Sequence, residues 1–181
     1  MLSSLLVVYI KQLLGRLSCL CGMVVSGIGT SAALVYLLGG TKEQSIGAVK
    51  NMIGNVSGMI CDGAKPSCSL KASTGVSSAL ISALLAMEGQ VVTATEGIID
   101  DDVDLCIKNL ADLGREGMAE TDLKVLKIMT SKGKKTPCAK DGARCYDCTA
   151  LERICNALTI HYKKMSYRPM ELVLIEEELG L

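Results

Sequence analysis

The sequence predicts an all-α fold: a helical bundle with a buried apolar central helix and a short cysteine-bearing loop between two helices. The 181-residue chain is 49% hydrophobic yet contains neither Phe nor Trp. Its core must be built from Leu, Ile, Val, Met and Ala, a mixture that suits helices better than a β-sandwich. Apolar residues recur at helical spacing in successive segments. Between Leu17 and Thr41 there is no charged residue at all, as expected of a helix enclosed by its neighbours. The length is enough for one compact domain with a hydrophobic core.

The elements follow in order. Residues Leu5 to Gly15 are apolar and helical in character, and a second helix is expected from Leu17 to Leu38, stopped by Gly39-Gly40. Thr41 with Gln44, in TKEQ, is a capping-box signature for a third helix running towards Ile60. Ile46, Val49, Ile53, Val56 and Ile60 mark its buried stripe. Cys61 to Ser67 reads as a tight polar loop, and Pro66 with Ser67 as N-cap starts a fourth helix over Cys68 to Met87, rich in Ser, Ala and Gly. After an extended piece, Asp100-Asp101-Asp102 suits a helix N-terminus, where the macrodipole favours negative charge. Val103, Cys106 or Ile107, Leu110 and Leu113 form that helix's stripe, and a last core helix is expected near Thr121 to Met129. Lys132 onwards changes character, so the expected organisation is a helical domain over 1–131 and a cysteine-rich tail over 132–181.

Nineteen basic and nineteen acidic residues cancel, which argues against a nucleic-acid surface or a polybasic membrane anchor. Nine cysteines are many for this length and cannot all pair internally. The opening MLSSLLVVYIKQLLGRLS has neither a charged leader before its apolar stretch nor a small-residue cleavage site after it. A reducing compartment, the cytoplasm, is therefore expected, with thiols free for metal or chemistry. The uncharged Leu17–Thr41 run is long enough to cross a bilayer. Its Gly, Ser, Thr and Cys content, and the absence of an aromatic belt, favour a buried bundle helix and no membrane.

Cys21, Cys61 and Cys68 are the constellation most suited to chemistry. Cys61 and Cys68 flank a loop containing Gly63 and Pro66. Such a loop can aim two sulfurs at one centre while its N–H groups stay free for cluster sulfides or substrate. By spacing alone, buried cysteines serving as small hydrophobes remain an equal alternative. Lys65 and Lys71 either neutralise a cluster or substrate carboxylate or are solvated lysines. Asn51, Asn55, Ser57, Ser73 and Thr74 either orient substrate or make ordinary helix-packing hydrogen bonds.

The stretch from RLSCLCGMVVSG through MICDGAKPSC to EGMAETD resembles the serine dehydratase α-chain-like family, and within it the L-cysteine desulfidase branch. The resemblance runs from about Val8 to about Thr130 and implies an all-helical fold. It also implies a 4Fe–4S cluster held by three cysteines, which map onto Cys21, Cys61 and Cys68. Three thiolates leave one iron of a cubane free to act as a Lewis acid in β-elimination. The implied reaction converts L-cysteine, or alternatively L-serine, to pyruvate and ammonia, with sulfide as the further product from cysteine. The resemblance places a catalytic cysteine in an N-terminal half that this chain does not carry, so the catalytic residue is unassigned. The chain is then a fragment, one half of a split enzyme needing a second chain, or a homo-oligomer. Lys65, Lys71, Asn55 and Ser73 are the candidate substrate-binding residues. Cys19 is read as filler, because two residues from Cys21 on a helix would turn it to another side. Cys106 is left without a role.

Three further patterns carry weaker signals. Gly27 to Ala32, GIGTSA, matches a nucleotide-binding fingerprint but lacks the preceding strand, and is rejected. Lys71 in SCSLK lacks the phosphate cup of a pyridoxal-phosphate site. Cys138, Cys145, Cys148 and Cys155 have spacings that can hold zinc, and His161, the single histidine, is expected on an exposed helix.

Overall fold

The computed structural model describes residues 1–15 and 18–132. The cysteine-rich tail, with Cys138, Cys145, Cys148, Cys155 and His161, lies outside the described residues, as does the region where a boundary at 131 would be judged. Among the described residues the fold is all-α: α1 (Leu2–Leu14), α2 (Gly22–Leu37), α3 (Lys42–Val56), α4 (Cys68–Met87), α5 (Val103–Asp112), a π-helical turn (Leu113–Gly117) and α6 (Ala119–Lys132).

Helix α2 is the central helix. It packs against α1, α3 and α4, and Val24, Val25, Ile28, Ala32 and Val35 are buried along it. Its glycines explain the rejected fingerprint: both lie inside the helix and let backbones meet. A Cβ on Gly27 would stand 3.3 Å from the Gly75 carbonyl of α4, and one on Gly29 would stand 2.5 Å from the Ser3 carbonyl of α1. The core joins Ile10 and Leu14 of α1, Met52 and Ile53 of α3, Ala79 of α4, and Ile107 and Leu110 of α5 to the α2 residues.

Local signals account for most helix ends. The Thr41 hydroxyl accepts from the Gln44 N–H at 3.2 Å while the Gln44 side chain accepts from the Thr41 N–H at 2.8 Å, the reciprocal capping box read in the sequence. Asp102 caps α5 by accepting from the Asp104 N–H at 2.9 Å. Gly15, at φ +84°, ends α1 in a conformation that favours glycine. Ser67 occupies the N-cap position of α4, but its backbone is helical and its hydroxyl makes no cap bond. Pro66 and Ser67 instead start a turn in which the Leu70 N–H reaches the Ser67 carbonyl at 3.1 Å.

Two elements differ from the sequence reading. Residues 18–21 are not helical: Leu20 forms an antiparallel bridge with Ile60, and α2 begins only at Gly22 with Cys21 as its extended N-cap. Helix α3 correspondingly ends at Val56, and half-exposed Ile60 belongs to the bridge rather than to its stripe. The π-helical turn changes the register after Asp112, so Leu113 is partly exposed while Gly114 is buried.

At 16 residues, α2 is shorter than the uncharged run that contains it. Among the described residues one helix, α4, is long and apolar enough to cross a membrane by length and composition.

Candidate functional site

The bridge between residues 20 and 60 places the cysteines. The Cys21 N–H donates to the Met59 carbonyl at 2.9 Å and the Cys61 N–H to the Cys19 carbonyl at 2.6 Å. Cys19 and Cys61 are therefore cross-strand neighbours. In an extended segment alternate side chains share a face, so Cys19 and Cys21 lie on one side and Leu20 on the other. The helical premise that turned Cys19 away from Cys21 is corrected by this geometry. Cys19 and Cys21 are buried, Cys61 and Cys68 half-buried, and all four thiols are free.

A second anchor holds the extended segment. The Ser18 hydroxyl donates to the Gly114 carbonyl at 2.7 Å and accepts from the Leu20 N–H at 3.0 Å. A Cβ on Gly114 would stand 2.5 Å from Leu14 and 3.2 Å from the Ser18 oxygen, so the close approach requires glycine. Chain continuity then carries the π-helical turn into α6, which brings Asp122 beside Cys19. Burial first, then the Asp122 carboxylate, and more weakly Cys61 and Asp62, push the Cys19 thiol up to about 11. Cys19 is thus a neutral thiol near pH 7. Further along α6, Met129 lies over Gly63, which adopts φ +90° in the 57–67 segment.

Asp62 organises that segment. Its carboxylate pairs with Lys65 and accepts from Lys71 at 2.7 Å. The Lys71 ammonium also donates to the Ile60 carbonyl at 2.7 Å. Bonds to Lys65 and Lys71 hold the Asp62 carboxyl well below the ordinary carboxylate range. Asp62 in turn raises Lys71, opposed by burial, and the nearby Cys21 and Cys61 thiols act in the same direction as Asp62. Through its bond to the Ile60 carbonyl, Lys71 is held against the backbone next to Cys61. Cys68 stands one turn before it on the inward side of α4, where its thiol points to the Gly63 carbonyl at 3.7 Å. Lys71 is thus tied into a half-buried ion-pair cluster, whereas Lys65 pairs with Asp62 at an exposed position.

The other polar candidates separate. Asn51 is structural: its amide donates to the Gln90 carbonyl at 2.8 Å and the Ser82 carbonyl at 3.3 Å, and accepts from the Val92 N–H at 2.9 Å. Thr74 bonds within α4, to the Leu70 carbonyl at 3.1 Å. Asn55 is exposed near the end of α3, Ser57 is half-buried just after it, and Ser73 is half-buried on α4. Among the described residues no hydrogen bond joins Asn55 or Ser73 to the cysteines. Cys106 is a structural thiol, donating to the Asp100 carbonyl at 3.2 Å and accepting from the Asp100 N–H at 3.1 Å. Asp122 is a site neighbour that sequence reasoning did not single out, although it sits in the GMAETD motif.

Among the described residues no three His, Cys, Asp or Glu side chains are gathered to hold a single metal ion. A cubane poses a different geometric demand, since each thiolate meets its own iron. The N–H groups of Asp62, Gly63, Ala64 and Lys65 donate to nothing among the described residues. The free N–H groups of this loop and the Lys71 ammonium bonded at Ile60 suit an anionic group such as a sulfide cluster.

An all-α unit whose cysteines are assembled by a strand bridge, a lysine-clamped loop and a helix start belongs to the serine dehydratase alpha chain family, which matches residues 1–127. Within that relationship the chain is similar to an UPF0597 protein of Porphyromonas gingivalis, 67% identical over 131 residues, which are 72% of this chain and 30% of the relative. An UPF0597 protein of Parabacteroides distasonis is 62% identical over 73% of this chain and 31% of its own length. One from Shewanella halifaxensis is 50% identical over 73% of this chain and 30% of its own length. The chain spans about 30% of the length of the curated relatives it matches. No solved structure matches it.

Proposed function

We propose that this chain is the cluster-binding part of an iron–sulfur-dependent lyase that eliminates sulfide from L-cysteine. Abstraction of the α-proton and departure of the β-thiol give aminoacrylate, which takes up water to yield pyruvate and ammonia. L-serine, losing hydroxide in place of thiolate, is the alternative substrate. The carrying observation is that Lys71, one turn after Cys68 on α4, donates to the Ile60 carbonyl beside Cys61, while the Cys21 N–H bonds to the Met59 carbonyl of the same segment.

Cys21, Cys61 and Cys68 would hold a 4Fe–4S cluster. When bound, such a group supplies an iron without a protein ligand, a Lewis acid for the substrate carboxylate and leaving group. The chain's own residues do the rest of the work near that point. Lys71 balances thiolate charge, and Asp62 fixes its ammonium. Lys65, the more exposed partner of Asp62, is available to a substrate carboxylate, with Asn55 and Ser73 as further candidates. The α-proton base is assigned to the part of the relatives' length that this chain does not span, so turnover requires that part as well. A cytoplasmic, reducing setting keeps the ligand thiols free.

The test is anaerobic reconstitution of the full chain and of Cys61→Ser, followed by absorbance and iron and sulfide analysis. A broad band near ~400 nm with about four irons per chain, lost in the variant, is expected. A folded, colourless wild-type protein without iron overturns the cluster assignment.

A further inference from the structure

Helix α4 is built backwards for a surface helix of a soluble bundle. Its inward side carries Gly75, Ser78, Ala79, Ser82, Ala83 and Ala86, all small and all buried. Its outward side carries Leu70, Val76, Leu80, Ile81, Leu84 and Leu85, each between 44% and 63% exposed. No charged residue interrupts the sequence from Ala72 to Met87. Successive residues on an α-helix advance by about 100°, so these six aliphatics cover roughly half the helix circumference. Isolated exposed leucines need no explanation, but six aliphatics on one face, interrupted only by Thr74 and Ser77 in its N-terminal half, mark a surface that another body covers.

We infer that the outward face of α4 is the docking surface for the rest of the family domain, the polypeptide corresponding to the part of the relatives that this chain does not span. Two observations choose this occupant. The matched region is about 30% of each relative, so a relative carries more than enough additional chain to bury one helix face. The same helix presents Cys68 and Lys71 on its inward side, one turn apart at its N-terminal end. A body seated on the outward face therefore lies one helix diameter from the cysteine cluster, the distance from which it can contribute groups to the same site. The inference rests on the family relationship and does not require the cluster to be present.

The experiment co-expresses this chain with the portion of the Porphyromonas gingivalis relative that lies outside the aligned 131 residues, and measures complex mass by light scattering after gel filtration. A 1:1 complex is expected. Leu80→Glu/Leu84→Glu, which would place charges in the buried contact, should weaken it at least ~100-fold. Leu126→Glu on exposed α6 should not. Matching helical circular dichroism shows that the variants fold. If the double variant does not fold, Leu84→Ser and hydrogen-exchange protection of wild-type α4 on complex formation replace it. Lack of a complex overturns the inference. So does self-association of the chain alone that the double variant abolishes, which would make the face a homodimer contact. Partition of the chain into phosphatidylcholine–phosphatidylglycerol vesicles, lost in the double variant, overturns it in favour of a membrane. Iron content is read separately: a colourless complex sinks the cluster but not the docking, and a brown chain that ignores the complement does the reverse.

Discussion

Replacing Lys71 by Met keeps most of the side-chain stem and removes the ammonium that ties Ile60 to Asp62. Two bonds are lost. The charge-assisted bond to the Ile60 carbonyl, 2.7 Å long, contributes about 1.5 kcal/mol. The ion pair with Asp62 is partly solvated, with Lys71 24% and Asp62 37% exposed, so its contribution is reduced to about 0.5 kcal/mol. The sum, roughly 2 kcal/mol, divided by a urea dependence of ~2 kcal/mol per molar, gives a midpoint lower by about 1 M. Lys65→Met removes only an exposed pair with Asp62 and should cost about 0.5 kcal/mol or less.

The pH dependence of the Lys71 effect follows from the two shifts. Asp62 is depressed in the fold, so its contribution is present above the unfolded carboxylate value near ~3.9 and is lost as pH falls towards the lower folded value. Lys71 is raised, so its contribution is present below the unfolded value near ~10.4 and is lost as pH rises through the higher folded value. The gap between wild type and Lys71→Met should therefore be flat from about pH 5 to about pH 9 and close only outside that window. A midpoint shift below ~0.3 M, or a gap that closes near pH 7, refutes the clamp.

Cys19→Ala should flatten the alkaline loss of stability. With the folded thiol at about 11 and an unfolded one near ~8.5, the folded state keeps a proton that the unfolded state gives up, so wild-type stability falls across that interval by up to about 3 kcal/mol relative to the variant. Urea midpoints from pH 8 to pH 11 test this, and parallel decline of the two proteins rejects it. Asn51→Asp keeps an acceptor for the Val92 N–H but turns a carboxylate oxygen on two carbonyls, at a cost of about 3 kcal/mol or about 10 °C in melting temperature. An unchanged melt would return Asn51 to a substrate-facing role.

Where a signal is local, the sequence displayed the structure. The Thr41–Gln44 box, the Asp102 cap and the Gly15 stop each act within four residues, and the helices they bound are legible as periodic segments. The segment 18–21 was hidden because an unbroken apolar run has no period with which to separate helix from strand. Its pairing with Ile60 is set by chain more than thirty residues away. Asp122 was missed for the same reason: the GMAETD stretch was legible as a family signature, but the π-helical turn that swings it against Cys19 has no local mark except Gly114. The assignment of Cys21, Cys61 and Cys68 as a ligand set rests on the resemblance alone. That Cys19 shares a face with Cys21 was visible only once the segment proved extended.

Helix α4 links the candidate site to the proposed docking face. Small residues on the inward side let α2 and α3 approach closely, and the same side of the helix carries Cys68 against Gly63 and Lys71 against Ile60. Small side chains bury little apolar area, so this face stabilises the bundle modestly for a 20-residue helix. The large aliphatics, which would normally supply that stabilisation, all lie outward. A sequence distributed in this way gains its stability when both faces are covered, the inner one by the cysteine-bearing bundle and the outer one by whatever completes the domain. On the proposed docking, the helix that carries Cys68 and Lys71 on one side would also be the contacted wall on the other, so the two faces would be coupled through a single rigid element.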